Sequence, residues 1–267
     1  MQFINKEGFQ DSFYKDIIRI NYDSITKNQL INDFGYSYLM LKYGEIKTRD
    51  HNGQSVEIPE VFIKTSGDFF YVDAYPESSW ITFELPATFF HKVTSLNASQ
   101  NINKLVNLSE FVDRALIEKL HNLLEDCNAV DEILNVANSV LSSYYEDWSS
   151  FTRADGVLEY IYEKNGLLTN QELIEQFPYS QRTMERFFQE CVGVSPYRYV
   201  RLVRFNFIIR EIEMGDSPIP DLIEKYNYYD KSHFEKDFQK FLGQSIATYR
   251  NEFNPLLTQA LSRNYIS

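Results

Sequence analysis

The sequence predicts an α+β chain of two domains. A β-rich barrel or sandwich with helices after it leads into an all-α domain, where two helix-turn-helix units are joined by a long helix. Three observations carry this reading. Short aromatic and β-branched runs, separated by turn residues, fill the first hundred positions. From about Leu105 the apolar residues switch to helical spacing. Near the C-terminus a segment repeats: Leu173-Ile174-Glu175-Gln176-Phe177-Pro178-Tyr179 returns as Leu222-Ile223-Glu224-Lys225-Tyr226-Asn227-Tyr228. Phe188, Gly193, Ser195 and Tyr199 likewise return as Phe238, Gly243, Ser245 and Tyr249, the offset growing from 49 to 50. Two copies of one supersecondary unit imply a device that makes the same kind of contact twice.

The strand-like runs are Tyr36–Tyr43, Val61–Lys64, Phe69–Ala74 and Trp80–Leu85. Asp50-His51-Asn52-Gly53, Ser66-Gly67-Asp68 and Pro76-Glu77-Ser78-Ser79 punctuate them as turns. Strands at this spacing make a small barrel or sandwich over residues 1–104. Its aromatics, Phe69, Tyr71, Trp80 and Phe83 among them, either line a pocket for a small-molecule effector or fill a solid core.

Residues 105–152 read as helices. Leu116, Leu120, Leu123 and Leu124 recur at helical steps, and so do Ile133, Leu134, Ala137, Val140 and Leu141. Such helices dimerise the chain, bridge its domains or cover the β-domain. Ser149 to Asp155 is a short polar hinge candidate. The all-α domain then occupies 153–254, and 255–267 is a tail.

Each repeat reads as helix, tight turn, helix. In the first, Thr169 or Asn170 caps a helix that turns Leu173, Ile174 and Phe177 inward. Ser180 caps the next, in which Met184, Phe187, Phe188 and Cys191 form an apolar stripe. Gln181, Arg182, Glu185, Arg186 and Gln189 are left on the other face. In the second, Asp230 takes the cap position and Phe234, Phe238 and Phe241 the stripe, leaving Lys231, Ser232, His233, Glu235, Lys236 and Gln239 outside. Arg and Gln at the start of an exposed helix have the donor geometry to read guanine and adenine edges. The intervening helix, Pro196 to about Met214, spans about 27 Å, close to one DNA turn of about 34 Å. Arg198, Arg201 and Arg204 lie along it at steps of three, and either phosphates or neighbouring acids partner them.

At 267 residues with 43% hydrophobic content, the chain can bury two cores. It has no run of about 18 apolar residues to span a membrane, and Met1 to Gln10 lacks the apolar segment of a secretory signal. Two cysteines, Cys127 and Cys191, make no disulfide framework, so a reducing, cytoplasmic setting is expected. The net charge of −12 disfavours indiscriminate nucleic-acid binding. About −10 of it falls in 1–152 and about −3 in 153–254, so any DNA-binding face must be a local one.

The stretch Ser180-x-Arg182-x-Met184-x-Arg186-x-Phe188, with Gly193-Val194-Ser195-Pro196 and Arg204-Phe205, resembles the DNA-binding domain of the AraC/XylS family of bacterial transcription regulators. So does Tyr228-Tyr229-Asp230-Lys231-Ser232-His233-Phe234, with Phe238 and Gly243-Gln244-Ser245. The resemblance covers roughly 155–253. It implies promoter DNA as partner, activation of transcription, often through RNA polymerase, and residues Gln181, Arg182, Glu185, Arg186, Gln189, Arg201, Lys231, Ser232, His233 and Lys236 at the DNA. Ile174 and Ile223 stand where the family has Ala, Pro178 and Asn227 where it has Gly, and Ile246 where it has Pro. Asn adopts a left-handed backbone at modest cost and Pro cannot, so the first turn must be built differently. More loosely, Phe83-Glu84-Leu85-Pro86-Ala87 and Val106-Asn107-Leu108 resemble the β-rich, cupin-like sensor domains of one branch of the family. Domain order then implies an effector, and a homodimer is the partner expected if the helices of 105–152 dimerise the chain.

An enzyme is not expected. His51, His91, His121 and His233 are scattered, no metal or cofactor motif occurs, and neither a phosphate-cradling Gly-rich loop nor a nucleophile elbow is present. The rival to a DNA-binding regulator is a small-molecule sensor whose helix-turn-helix domain serves protein interaction.

Overall fold

The computed structural model describes residues 2–6, 14–31, 34–50, 52–67, 70–214 and 217–251, without the side chains of 2–6, 214 and 251. Phe69, His51 and the tail 255–267 lie outside the described residues.

Two antiparallel sheets form a sandwich. The first has six strands in the order β1 (Gln2–Lys6), β2 (Asp16–Tyr22), β9 (Ser78–Leu85), β4 (Ser37–Tyr43), β7 (Val61–Lys64) and β10 (Val106–Asn107). The second has four, β3 (Thr26–Ile31), β8 (Phe70–Ala74), β5 (Ile46–Arg49) and β6 (Ser55–Val56). Strand periodicity sorts the first sheet's side chains onto two faces. Tyr38, Met40, Phe62 and Trp80 meet Ile46, Phe70, Val72 and Ala74 of the second sheet. Leu39, Leu41, Val61, Ile63, Ile81, Phe83 and Leu85 point the other way, into a second core. Hence β9 is buried along its whole length, as a strand covered on both faces must be.

Helices supply that second cover. Ile117, Leu120 and Leu124 of α2 (Arg114–Glu125) and Ile133, Ala137, Val140 and Leu141 of α3 (Val130–Leu141) bury into the core behind the first sheet. Asp113 caps α2 by accepting from the Leu116 N–H. At its other end Arg19, reaching from β2, donates to the carbonyls of Leu124, Glu125 and Cys127 at 2.9, 2.7 and 2.6 Å. A guanidinium there answers orphan carbonyls at the negative end of the helix dipole. These two helices thus spend most of their apolar faces on this core, while Leu123 of α2 stays exposed.

The short helices α1 (Phe89–Thr94) and α4 (Tyr145–Trp148) add Phe89, Phe90 and Trp148 to the same core, and the helices after them build the all-α region. α5 (Arg153–Glu163), α6 (Asn170–Gln176) and α7 (Gln181–Cys191) surround the N-terminal half of α8 (Pro196–Met214), sharing a core with Tyr199, Val200 and Val203. α9 (Ile219–Lys225), α10 (Lys231–Leu242) and α11 (Ile246–Asn251) surround its C-terminal half, sharing one with Phe205, Ile208 and Ile209. Where α5 turns toward α6, Gly166 has φ +65° and a Cβ there would lie 2.5 Å from the Arg204 nitrogen. Only glycine lets this turn rest on α8, and the Arg204 Nε–H donates to the Gly166 carbonyl at 2.9 Å.

Candidate nucleic-acid interface

The two helices expected to read DNA begin on the caps read from the sequence. Ser180 accepts from the Thr183 N–H at the start of α7, and Asp230 from the His233 N–H at the start of α10. Beyond the caps the units bury the same positions. Met184, Phe187 and Phe188 are buried in α7, and Phe234, Asp237 and Phe238 in α10. The first two residues of each helix are exposed, as are Glu185 and Arg186 in one and Glu235 and Lys236 in the other. Each unit thus offers a polar ridge on a helix whose opposite side is locked in a core.

The ridges differ in charge. On α7, Arg182 and Arg186 alternate with Glu185 and Glu190, and the Gln181 amide donates to Glu185 at 2.9 Å. On α10, Lys231, Lys236 and Lys240 face a single exposed acid, Glu235, which Lys231 approaches to 3.5 Å. Gln189 is half-buried. Ser232 is exposed, and the half-buried His233 ring packs edge-on to Tyr228 at 5.1 Å.

Arg201 does not join these ridges. Its guanidinium pairs with Asp237, a carboxylate only 1% exposed, while lying over the Tyr197 ring. Its neighbours along α8 are committed as well. Arg198 donates to the Gly67 carbonyl at 3.2 Å, and Arg204 holds the Gly166 turn. Neighbouring groups thus take all three arginines, the alternative to phosphate that the sequence left open.

The turns also differ. In the second unit Asn227 adopts φ +54°, with Asn227 N–H donating to Glu224 and Tyr228 N–H to Ile223. This is a Schellman closure. In the first unit Phe177 ends α6 in an extended conformation, and the Tyr179 N–H donates to the Phe177 carbonyl at 2.8 Å. Pro178 permits no left-handed step there. The chain instead stacks Phe177 on Tyr179 and sets Tyr179 edge-on to Phe187.

The first unit is bolted to the β-domain. Thr65 Oγ1 donates to the Val192 carbonyl at 3.2 Å, and Gly193 comes so close to Ala98 that a Cβ would lie 3.3 Å from its carbonyl. Burial in this joint pushes the Cys191 thiol up to about 11. Asp155 serves both sides. It forms the capping box of α5 with Thr152, accepts from the Thr88 hydroxyl at 2.5 Å and pairs with Lys92 at 3.1 Å. Lys92 lies on α1 (Phe89–Thr94). The stretch read as a hinge therefore ends in a buried tie. Farther along α8, Tyr199 donates to the Gly35 carbonyl at 2.9 Å and Asn206 to the Phe34 carbonyl at 2.7 Å.

The aromatics named for an effector pocket do not share one face. Trp80 faces the core between the sheets, Phe83 the core behind the first sheet. Tyr71 points to the outer side of β8, where Arg49 lies over its ring. Positions 80 and 83 differ by an odd number on one strand, so they cannot share a face. A small cleft lies elsewhere in the sandwich, lined by Thr48, Asp50, Val56, Lys64, Phe70 and Leu105. Trp80 retains one polar feature: among the described residues its indole N–H finds no protein acceptor.

The sequence reading missed Asp155, Lys92, Phe34, Gly35 and Asp237. Asp237 carried a signal, since an acid occupies the slot that holds Phe187 in the other copy. Among the described residues no group of three or more His, Cys, Asp or Glu could hold a metal, and no helix is long and apolar enough to cross a membrane.

Comparison with known proteins bears on the same region. A family profile described as a helix-turn-helix domain matches residues 173–252. The HTH-type transcriptional activator RhaS of Pectobacterium atrosepticum is 26% identical over 80 residues, 30% of this chain and 29% of that protein. The activator AarP of Providencia stuartii is 27% identical over 89 residues, 32% of this chain and 66% of that protein. The match thus spans under a third of RhaS and just under two thirds of AarP. The crystal structure of ToxT from Vibrio cholerae O395 aligns with 92% of this chain and 96% of its own, at 17% identity and a TM-score of 0.46.

Proposed function

From a C-terminal helix-turn-helix domain of the AraC/XylS type, we infer that the chain is a sequence-specific DNA-binding regulator of transcription. The observation that carries this is the paired ridge. Two capped helices on one rod bury the same positions and expose short polar ridges bearing Arg182, Arg186, Lys231 and Lys236. On this reading Gln181, Arg182, Glu185, Arg186 and Gln189 meet one stretch of major groove, and Lys231, Ser232, His233 and Lys236 the next. Helix entry to the groove with base contacts near its N-terminal end is what this geometry supports. Activation is the sign that the names of RhaS and AarP favour.

Selection of bound duplexes from a random library, repeated across salt concentrations, tests it. The expected result is a motif of two half-sites about 10 base pairs apart and an affinity that falls steeply with salt as counterions are released. Recovery of no motif sinks the reading. It would favour the rival, a protein-interaction module, which the mixed charge of the α7 ridge supports.

The β-domain, on the same reading, senses a small effector. The buried Trp80 indole N–H supports this, because a donor without a protein acceptor is costly to bury. A ligand acceptor would satisfy it. Thermal-shift screening should find a compound that raises the melting temperature of the wild type and not of Trp80→Phe. Equal shifts in both proteins would remove Trp80 from the site.

A further inference from the structure

Given the DNA-reading role inferred for the two units, we propose that Arg201, Asp237 and Tyr228 form a positioning element that fixes the second recognition helix on the rod and so sets the half-site spacing the protein accepts. Asp237 lies midway along α10 and is buried. One of its carboxylate oxygens takes the Arg201 guanidinium, and the other accepts from the Tyr228 hydroxyl at 2.9 Å. Three parts of the unit meet at this carboxylate: the rod, the turn before the recognition helix, and the helix itself.

Apolar contacts alone leave α10 some freedom. Phe205 of the rod packs on Phe238 and Phe241 at 5.0 and 5.1 Å between ring centres. Contacts of this kind have no strong directionality, and helix crossing angles scatter by about 15–20° for similar packing. From Asp237 to the start of α10 is about 9 Å, so such a swing moves the leading residues by about 2–3 Å. That is close to the rise of one base pair, about 3.4 Å. A rod with a loosely seated reader would therefore accept neighbouring spacings. A directional ion pair, with a hydroxyl on the second oxygen, removes that freedom.

The first unit needs no such element. Its matching slot holds Phe187, and its recognition helix is steadied from outside by Thr65 and Ala98. Arg201 stands on α8 one turn before Phe205, on the side toward the first unit. The pair thus ties α10 to the part of the rod nearest the other reader. Exchanging a buried ion pair for apolar residues of similar volume is often neutral for stability, so fold and position can be separated.

The test uses the full chain carrying Arg201→Met with Asp237→Leu, and independently Asp237→Asn. Affinities are measured on duplexes bearing the two selected half-sites at the preferred spacing and at one and two base pairs either side. In the wild type the preferred spacing should win clearly. In the double variant its advantage over the neighbouring spacings should fall about tenfold, with binding to an isolated second half-site unchanged. An unaltered spacing profile in both variants overturns the proposal. A second arm needs no DNA. Spin labels are placed through Arg182→Cys and Lys236→Cys in a Cys127→Ser, Cys191→Ala background. The distance distribution between α7 and α10 should be narrow with the pair intact and broad without it, and equal widths overturn the proposal. A wild type that binds no duplex defeats the DNA-reading role, and the label distances then decide the positioning role alone.

Discussion

At position 187 the first helix-turn-helix unit buries a phenylalanine; at position 237 the second buries an aspartate in the matching slot. The surroundings follow from that exchange. Phe187 extends an aromatic chain through Tyr179 and Phe177, and the unit is finished by the β-domain laid against Val192 and Gly193. Asp237 draws Arg201 from the rod and Tyr228 from the turn, and the unit is finished from within. One motif can thus be held by a neighbouring domain or by its own buried polar contact, with the same pattern of exposed residues outside.

Truncating the two cores gives the harshest break of this comparison. Phe188 and Phe238 are both fully buried at equivalent positions, so Phe188→Ala and Phe238→Ala should each cost about 3–5 kcal/mol in denaturant unfolding. Near-unchanged unfolding of either would mean that its stripe is not the one holding the unit.

Asp155→Ala should come next and act on the first unit alone. It removes a capping box and leaves Lys92 buried without its carboxylate, a loss of about 3 kcal/mol. Hydrogen exchange should quicken in α5 and α7 while α10 stays protected. Uniform loss of protection would show that the two units unfold as one.

At the DNA, Arg182→Ala should relax preference at one base position by about 1–3 kcal/mol against the selected site. Lys236→Ala should have the smallest effect. It should weaken all duplexes alike and reduce the salt slope by about one phosphate contact. Fluorescence anisotropy on selected and scrambled duplexes separates the two behaviours, and wild-type binding by both variants would remove α7 and α10 from the groove.

Local signals were legible in the sequence. Val61–Lys64 and the rod Pro196–Met214 were read with the boundaries the structure gives them, and so were the caps Ser180 and Asp230; of Thr169 and Asn170, both offered as a cap, the structure uses Thr169. Each rests on a residue's own backbone preference or on periodicity. The strands Asp16–Tyr22 and Thr26–Ile31 were missed. The second, TKNQLI, is mostly polar and lies at a sheet edge, where alternation has little to encode. That Trp80 and Phe83 face different cores was already present in the numbering, since they stand an odd number of residues apart on one strand. The domain joint was illegible for a deeper reason. Most of its acceptors are main-chain carbonyls, those of Phe34, Gly35, Gly67 and Val192, and tertiary placement alone brings donors to them.

That last feature bears on how such a protein can change. At the Phe34–Gly35 contact with α8, the identifying side chains, Tyr199 and Asn206, sit in the all-α domain, and the β-domain answers with backbone. Most substitutions in the answering loop leave its carbonyls where they are. Position 35 is the exception: its φ is +82°, and a Cβ would come within 3.2 Å of the Tyr199 ring. At this one contact the β-domain can change its side chains and keep its partner, whereas Thr65, Thr88 and Lys92 fix other parts of the joint through side chains of its own. Substitutions are therefore tolerated unevenly across the joint, freely beside the Phe34 carbonyl and least at Gly35, Thr88 and Lys92.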